Sequence, residues 1–370
     1  MKNVMGIIND IQEEDVLKDL TRHRSLASVP FGCRYRLIDF ALSNMVNSGV
    51  INVGIFLENK FRSLLDHIGP GKAWDLDRKR DGLFLLPSSQ LNNQNRIYKG
   101  DIESFKANLD YLHRSSQEYV IITSSKVICN MNYSKAFDFH LNSGADITAI
   151  YKKISNPNQS KNQTVIEINN NDKVIEMKVQ PERHNYNKVS LEKFIMKKDL
   201  LIDIIDDCYS TGRWDFLKDG IIKNIDKYNV KAYPYTGYVA NINSLTSYFH
   251  KNLELLKPDN RKDMFHKNQV FTKPKDEAPT KFSEFAQAKN IIAANGCIVE
   301  GNVENSILFR GVTIKKGAEV KNSIIMQKST IEKNAKVENV ITDKNAQIKA
   351  GTELKGNKNF PVIIEKNAKV

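Results

Sequence analysis

The sequence is poor in cysteine, in long apolar runs and in the short signatures of common enzyme classes. Four cysteines, Cys33, Cys129, Cys208 and Cys297, are scattered over 370 residues. They form no pair at metal-ligand spacing, and no disulfide framework is expected. The longest uncharged apolar stretches, such as Val53 to Leu57 and Tyr119 to Thr123, are strand-sized. They fall far short of the roughly 20 residues that span a bilayer. No Walker motif, G-x-G-x-x-G or Ser-His-Asp triad is visible. Seven histidines occur, none beyond His266. Met1 leads directly into the strand-like Val4-Met5-Gly6-Ile7-Ile8 without a signal-peptide pattern, so a cytoplasmic location without membrane association is expected.

What the chain does have is the composition of a globular protein, 41% apolar and 26% charged, in a length sufficient for two domains. The formal charge is +12. Its lysines are spread along the whole chain, with no dense basic run and no basic helix bearing interleaved aromatics, so nucleic acid is not the expected partner.

The clearest pattern is a repeat. Glu304 to Val320, Lys321 to Val337 and Glu338 to Leu354 align without gaps, 17 residues each. Each segment opens with a charged residue and Asn (305, 322, 339), followed closely by an apolar pair. Each ends on one heptapeptide pattern: Ile314-Lys-Lys-Gly-Ala-Glu-Val320, Ile331-Glu-Lys-Asn-Ala-Lys-Val337 and Ile348-Lys-Ala-Gly-Thr-Glu-Leu354. Gly or Asn at 317, 334 and 351 suits a turn that needs positive φ. Fixed-period self-similarity of this kind predicts a solenoid, a parallel β-helix over residues 291–370. Antiparallel hairpins would not require the same turn residue at the same phase three times.

Upstream, short apolar runs at Val4–Ile8, Val53–Leu57, Val120–Thr123 and Ile147–Tyr151 read as buried strands. Arg36–Val46 and Ile102–Leu112 place apolar residues at helical spacing. The alternation predicts a mostly parallel sheet with helices on both faces over residues 1–250. The Lys-, Asp- and Pro-bearing stretch 251–290 reads as a connection.

Ordered strings then narrow the family. Pro30-Phe-Gly-Cys-Arg-Tyr-Arg-Leu-Ile-Asp-Phe-Ala-Leu-Ser-Asn44, Asn47-Ser-Gly49, Trp74-Asp-Leu-Asp77, Leu85-Leu-Pro87, Tyr98-Lys-Gly100, Asn108-Leu-Asp110, Trp214-Asp-Phe-Leu-Lys-Asp219 and Gly237-Tyr238 resemble bacterial ADP-glucose pyrophosphorylases. The resemblance covers essentially the whole chain. It implies a nucleotidyltransferase (GT-A/Rossmann-like) mixed-sheet α/β domain and a left-handed hexapeptide β-helix. The family joins glucose 1-phosphate to the α-phosphate of ATP, with carboxylates holding Mg²⁺.

At the positions matching the family's chemistry, this chain departs from the pattern. The phosphate-cradling Gly-rich loop falls on Ile11-Gln-Glu-Glu-Asp-Val-Leu17, which has no glycine and presents Glu13 and Glu14. A carboxylate about 4 Å from a phosphate oxygen costs on the order of 4 kcal/mol at an effective dielectric of 20. The loop arginine is Val16, and the Lys-Pro pair is Leu26-Ala27. One metal-binding Asp is replaced by Lys126 and the other by Asn241, while the sugar-phosphate lysine is Gln180. Catalytic residues, Mg²⁺ and any other cofactor are therefore not expected in this chain.

The losses and matches together resemble the regulatory, GlgD-type subunits of the family, partners of a catalytic subunit in a hetero-oligomer, with a tetramer as the leading arrangement and a homo-oligomer as the alternative. The resemblance also places a phosphorylated effector at His23, Arg24 and Arg36, since guanidinium forks suit phosphate; pairing of both arginines with carboxylates such as Asp39 is the competing reading. Two other functions stay open: an active nucleotidyltransferase with an atypical site, in which Lys126 supplies the metal's charge, and a scaffold without ligand. Asp75 and Asp77 are read as loop-structuring residues beside Trp74.

Overall fold

The computed structural model describes residues 1–11, 17–57, 60–88, 99–182 and 185–370. The chain divides into two compact units that interleave in sequence. The first comprises Met1–Asp15, Phe40–Val239 and Asn268–Phe271; the second comprises Val16–Asp39, Ala240–Lys267 and Thr272–Val370. The second unit thus takes in segments from the expected α/β domain and from the expected connection, in addition to the solenoid.

The first unit is built on a nine-stranded sheet. Its strands are β1 (Val4–Asn9), β2 (Asn52–Leu57), β3 (Gly82–Pro87), β4 (Tyr119–Thr123), β5 (Ile147–Lys153), β6 (Thr164–Ile168), β7 (Val174–Val179), β8 (Lys188–Lys197) and β9 (Val230–Pro234). The order is β7-β6-β8-β4-β1-β2-β3, with β5 on β8 and β9 on β5. Strands β4, β1, β2 and β3 run parallel. Strand β8 runs antiparallel to both β4 and β5, which makes the sheet mixed. All four apolar runs picked out in the sequence are strands here, and β2 is buried along its entire length, as a parallel strand covered on both faces must be. Met5, Ile7, Phe56, Ile122, Phe194 and Met196 of the sheet share one core with Phe105, Leu112, Leu201 and Ile205 of the helices.

The predicted helix over 102–112 is broken into Asp101–Ala107 and Leu109–Arg114. Asn108 makes the break, its amide donating to Ser104 O (2.9 Å) and Pro87 O (3.0 Å).

In the second unit the 17-residue period becomes a ladder register. Val303 pairs with Val320, Val320 with Val337 and Val337 with Leu354. Ile307, Ile324 and Ile341 stack likewise. A further column holds Ile314, Ile331 and Ile348. All these pairings are parallel, and the inward Ile314, Ile331 and Ile348 are fully buried. The repeated turn residues have positive φ, 76° at Gly317, 58° at Asn334 and 72° at Gly351. Buried serines add a rung between coils: Ser323 N donates to Ser306 Oγ (3.0 Å) and Val340 N to Ser323 Oγ (3.1 Å).

The solenoid starts upstream of Ile291. Lys281–Phe282 pairs with Ile298–Val299, and Gln287–Ala293 with Asn302–Leu308. These first strands are largely exposed, so composition gives no signal of them. Backbone pairing does not need apolar side chains.

The same unit anchors the 30–36 segment. Tyr248 Oη donates to Pro30 O (2.6 Å), Gly32 N donates to Asn252 Oδ1 (3.0 Å), and Tyr35 stacks on Phe265.

Candidate functional site

The sheet of the first unit carries the position where transferase chemistry would sit, at the C-terminal ends of its parallel strands. Asn9, which ends β1, donates to Asp101 Oδ2 (2.8 Å), and Asp101 Oδ1 accepts from Phe216 N (2.8 Å). Asp10, which follows, is 4% exposed and accepts from the Ser125 hydroxyl. The bend Ser124–Lys126 connects β4 to the short strand Val127–Cys129, with Lys126 half-buried. Its groups are two hydroxyls and an ammonium, beside one carboxylate already held by Ser125. That set does not fit a divalent cation. Among the described residues, no group of three or more His, Cys, Asp or Glu side chains is placed to hold a metal ion.

A second ammonium lies beneath this bend. Lys193 is 1% exposed and donates to Thr123 Oγ1 (2.7 Å) and Val127 O (3.1 Å), on either side of the bend. An irregularity in β8 between Ser190 and Lys193 turns the side chain inward, with Glu192 at φ 51°. Burial lowers the Lys193 pKa, against the opposing pull of Cys129 and Glu192. Sequence reading missed it, because a lysine in an apolar strand looks exposed until the register is known.

Gln180 is exposed, just past β7, at φ 46°. Leu26 is buried in the short turn Leu26–Ser28, and Asn241 is half-buried; both belong to the second unit. Glu13, Glu14 and Val16 lie outside the described residues. Asp75, at φ 54°, receives the Arg78 guanidinium, and both Asp75 and Asp77 are exposed in their loop. The Trp214–Asp219 string has a structural part: Asp215 caps Lys218 N (2.7 Å), and Asp219 accepts from Trp214 N (3.0 Å) and Asp215 N (3.1 Å). All four thiols are free and buried, with Cys33 pushed up to about 12, chiefly by burial. A cavity of about 590 Å³ beside β3, lined by Asn52, Phe84, Tyr111 and Arg114 among others, starts at the opposite end of β2 from the residue paired with Asn9.

The second unit carries a cationic cluster. His23 is exposed and Arg36 half-buried. Arg24 is buried and ion-paired with Asp343 at 2.6 Å, and its Nη1 is buried without a hydrogen-bond partner among the described residues. Asp343 is thus the carboxylate that Arg24 meets, while the Arg36 backbone N–H donates to Asp39 (3.0 Å). Next to Asp343, Lys344 is held down to about 7, by burial first and then by Arg36, Arg24 and Lys275, with Asp343 opposing. Lys344 and Arg310 occupy the same phase of the repeat two coils apart, roughly 10 Å by the 4.7–4.9 Å strand spacing. Neither residue was picked out in the sequence, although the period aligns them.

Comparison with known proteins fits both units. Residues 15–256 match the nucleotidyl transferase family model, and residues 278–359 match that of the GlmU-like, C-terminal hexapeptide. The glycogen biosynthesis protein GlgD of Bacillus subtilis (strain 168) is 38% identical over 364 residues, covering 98% of this chain and 96% of that protein. GlgD of Geobacillus stearothermophilus is 38% identical over 319 residues, 86% of this chain and 82% of that protein. The glucose-1-phosphate adenylyltransferase of Bacillus subtilis (strain 168) is 33% identical over 308 residues, 82% of this chain and 81% of that protein. No helix among the described residues is long and apolar enough to cross a membrane. With a mixed transferase sheet, a hexapeptide solenoid and a GlgD relative matched along 96% of its length, the chain belongs to the nucleotidyl transferase family and, within it, to the GlgD glycogen biosynthesis proteins.

Proposed function

We propose that this chain is a non-catalytic regulatory subunit that assembles with a catalytic glucose-1-phosphate adenylyltransferase subunit and raises ADP-glucose synthesis for glycogen. One observation carries the reading. The transferase sheet is intact, yet the bend after β4 offers Lys126 where the chemistry calls for a metal-binding carboxylate, with a second ammonium, Lys193, beneath it. A divalent cation would meet two positive charges there. Retention of the fold without that chemistry fits a protein whose contribution lies in its surfaces and in effector binding.

The effector part of the reading centres on Arg36, Lys344 and the exposed His23, with Arg24 behind them. Arg24 already holds Asp343, so a phosphorylated ligand would compete with that carboxylate or engage the remaining Nη1.

The deciding experiment assays three preparations for ADP-glucose: this chain, the catalytic subunit, and the two co-expressed. Activity in the pair above that of the catalytic subunit, with none from this chain alone, is the expected result. Turnover by this chain alone would overturn it. For the effector, phosphorylated glycolytic metabolites should raise the melting temperature, and Arg36→Ala should abolish that rise; an unchanged response would remove Arg36 from the site.

A further inference from the structure

One side chain, Lys193, spans the bend Ser124–Lys126 from beneath. Its ammonium donates to Thr123 Oγ1 (2.7 Å), at the end of β4, and to Val127 O (3.1 Å), at the start of the next strand. A single cation thus ties the two sides of the bend together. Thr123 Oγ1 donates in turn to Ser124 O (3.3 Å), and the Ser125 hydroxyl is held by Asp10. A buried ammonium normally has a carboxylate partner. Among the described residues the hydrogen-bond partners of Lys193 are these two neutral oxygens. Cys129 and Glu192 favour its charged form against the burial that disfavours it. Strand β8 delivers the lysine through a bulge, where the register with β5 passes from Ser190–Tyr151 directly to Lys193–Ile150. Glu192 within the bulge stands at φ 51°, a conformation that a residue with a side chain keeps only where its surroundings fix it. They do so here: its N–H donates to Ser190 Oγ (3.1 Å), and its carboxylate accepts from the Thr164 hydroxyl (2.7 Å).

We propose that the Lys193 ammonium is a covalently attached replacement for a metal ion: it holds in place, without any divalent cation, the bend that carries Lys126. The oxygens on hand fit an ammonium and not a metal. A divalent ion at this bend needs carboxylates, and the residues there offer Lys126, hydroxyls and an Asp10 already held by Ser125. An ammonium brings three donors on a flexible stem, so a hydroxyl and a backbone carbonyl suffice as its acceptors. Lys193 therefore does more than repel a divalent ion; it makes one unnecessary to the order of the bend. The role belongs to this chain alone and stands whether or not the chain regulates a partner.

The test is amide hydrogen exchange over residues 123–127 of the full-length chain, in chelator and in millimolar magnesium chloride, at an ionic strength matched with sodium chloride. The wild-type bend should be protected equally in both. Lys193→Met removes the charge and keeps an apolar chain of similar length, so exchange at the bend should quicken about tenfold or more, the scale of one lost charge-assisted contact. Lys193→Ala leaves a space facing the two oxygens. Methylammonium chloride should restore protection of the bend in that variant, and sodium chloride at the same strength should not. Lys193→Met, whose side chain fills the space, should respond to neither salt. The proposal is overturned if magnesium increases the protection of the wild-type bend, or if Lys193→Met exchanges there like the wild type. It is equally overturned if methylammonium does no better than sodium in Lys193→Ala. Should both Lys193 variants fail to fold, Thr123→Val decides, because it removes one acceptor and keeps the lysine: faster exchange at the bend supports the tie, and an unchanged rate rejects it.

Discussion

Arg24 Nη2 lies 2.6 Å from Asp343 Oδ2, an ion pair between residues 319 positions apart with both side chains 4% exposed. Breaking such a pair leaves an uncompensated buried charge, whereas replacing both partners by apolar groups does not. Arg24→Ala is therefore expected to cost about 3–5 kcal/mol. Arg24→Met/Asp343→Leu should recover most of that loss, as measured by urea denaturation of the singles and the double.

His140 gives a pH dependence in the acid range. It is buried beside Thr148, with Nδ1 2.9 Å from the Thr148 hydroxyl, and burial pushes its pKa from 6.5 down to about 4. Asp146 pulls the other way and Lys197 adds to the depression. The unfolded chain binds a proton below pH 6.5 that the folded chain refuses until about pH 4, so stability is present above 6.5 and falls across that window. His140→Gln should show a smaller stability difference between neutral and acid pH than the wild type in denaturation curves.

Lys344 acts in the alkaline range with the same sign. Its pKa falls from 10.5 to about 7, so stability rises as pH climbs between those values and is lower near neutrality. Lys344→Met should stabilise the chain at pH 7, and the advantage should shrink toward pH 10 in melts recorded across that range.

Ile331 is fully buried in the column between Ile314 and Ile348. Ile331→Ala should cost about 2–5 kcal/mol through lost contacts and a cavity. If the solenoid serves assembly, co-purification with the catalytic subunit should fall in step; unchanged recovery would separate the solenoid from assembly.

Lys126→Asp supplies one carboxylate to the bend but leaves Lys193 beneath it. No ADP-glucose synthesis should appear in the isolated variant, and measurable product from ATP and glucose 1-phosphate would contradict that.

The period of the solenoid was legible in the sequence because each coil must present the same inward residue and the same turn at the same phase. Its first coil was not, since Lys281–Phe282 and the first half of Gln287–Ala293 join by backbone pairing while their side chains face solvent, and only Ile291 and Ala293 pack on the core. The strand runs of the sheet were legible, but not the antiparallel insertion of β8, which depends on long-range pairing. Lys126 could be read as an anomaly from the sequence alone. Lys193, Arg310 and the partner of Arg24 could not, because burial and a contact spanning 319 positions leave no local trace.

The interleaving of the two units bears on how this protein can be taken apart. Segments 16–39 and 240–267 cluster with the solenoid, tied to one another by Tyr248–Pro30 and Asn252–Gly32 and to its last coils by Arg24–Asp343 and Thr246–Asn359. A gene fragment cut after residue 250 would strip those segments of their partners, and a transplanted tail beginning at 291 would arrive without them. Chimaeras between GlgD proteins and glucose-1-phosphate adenylyltransferases therefore need five exchange points rather than one, and limited proteolysis should release no stable tail of solenoid alone.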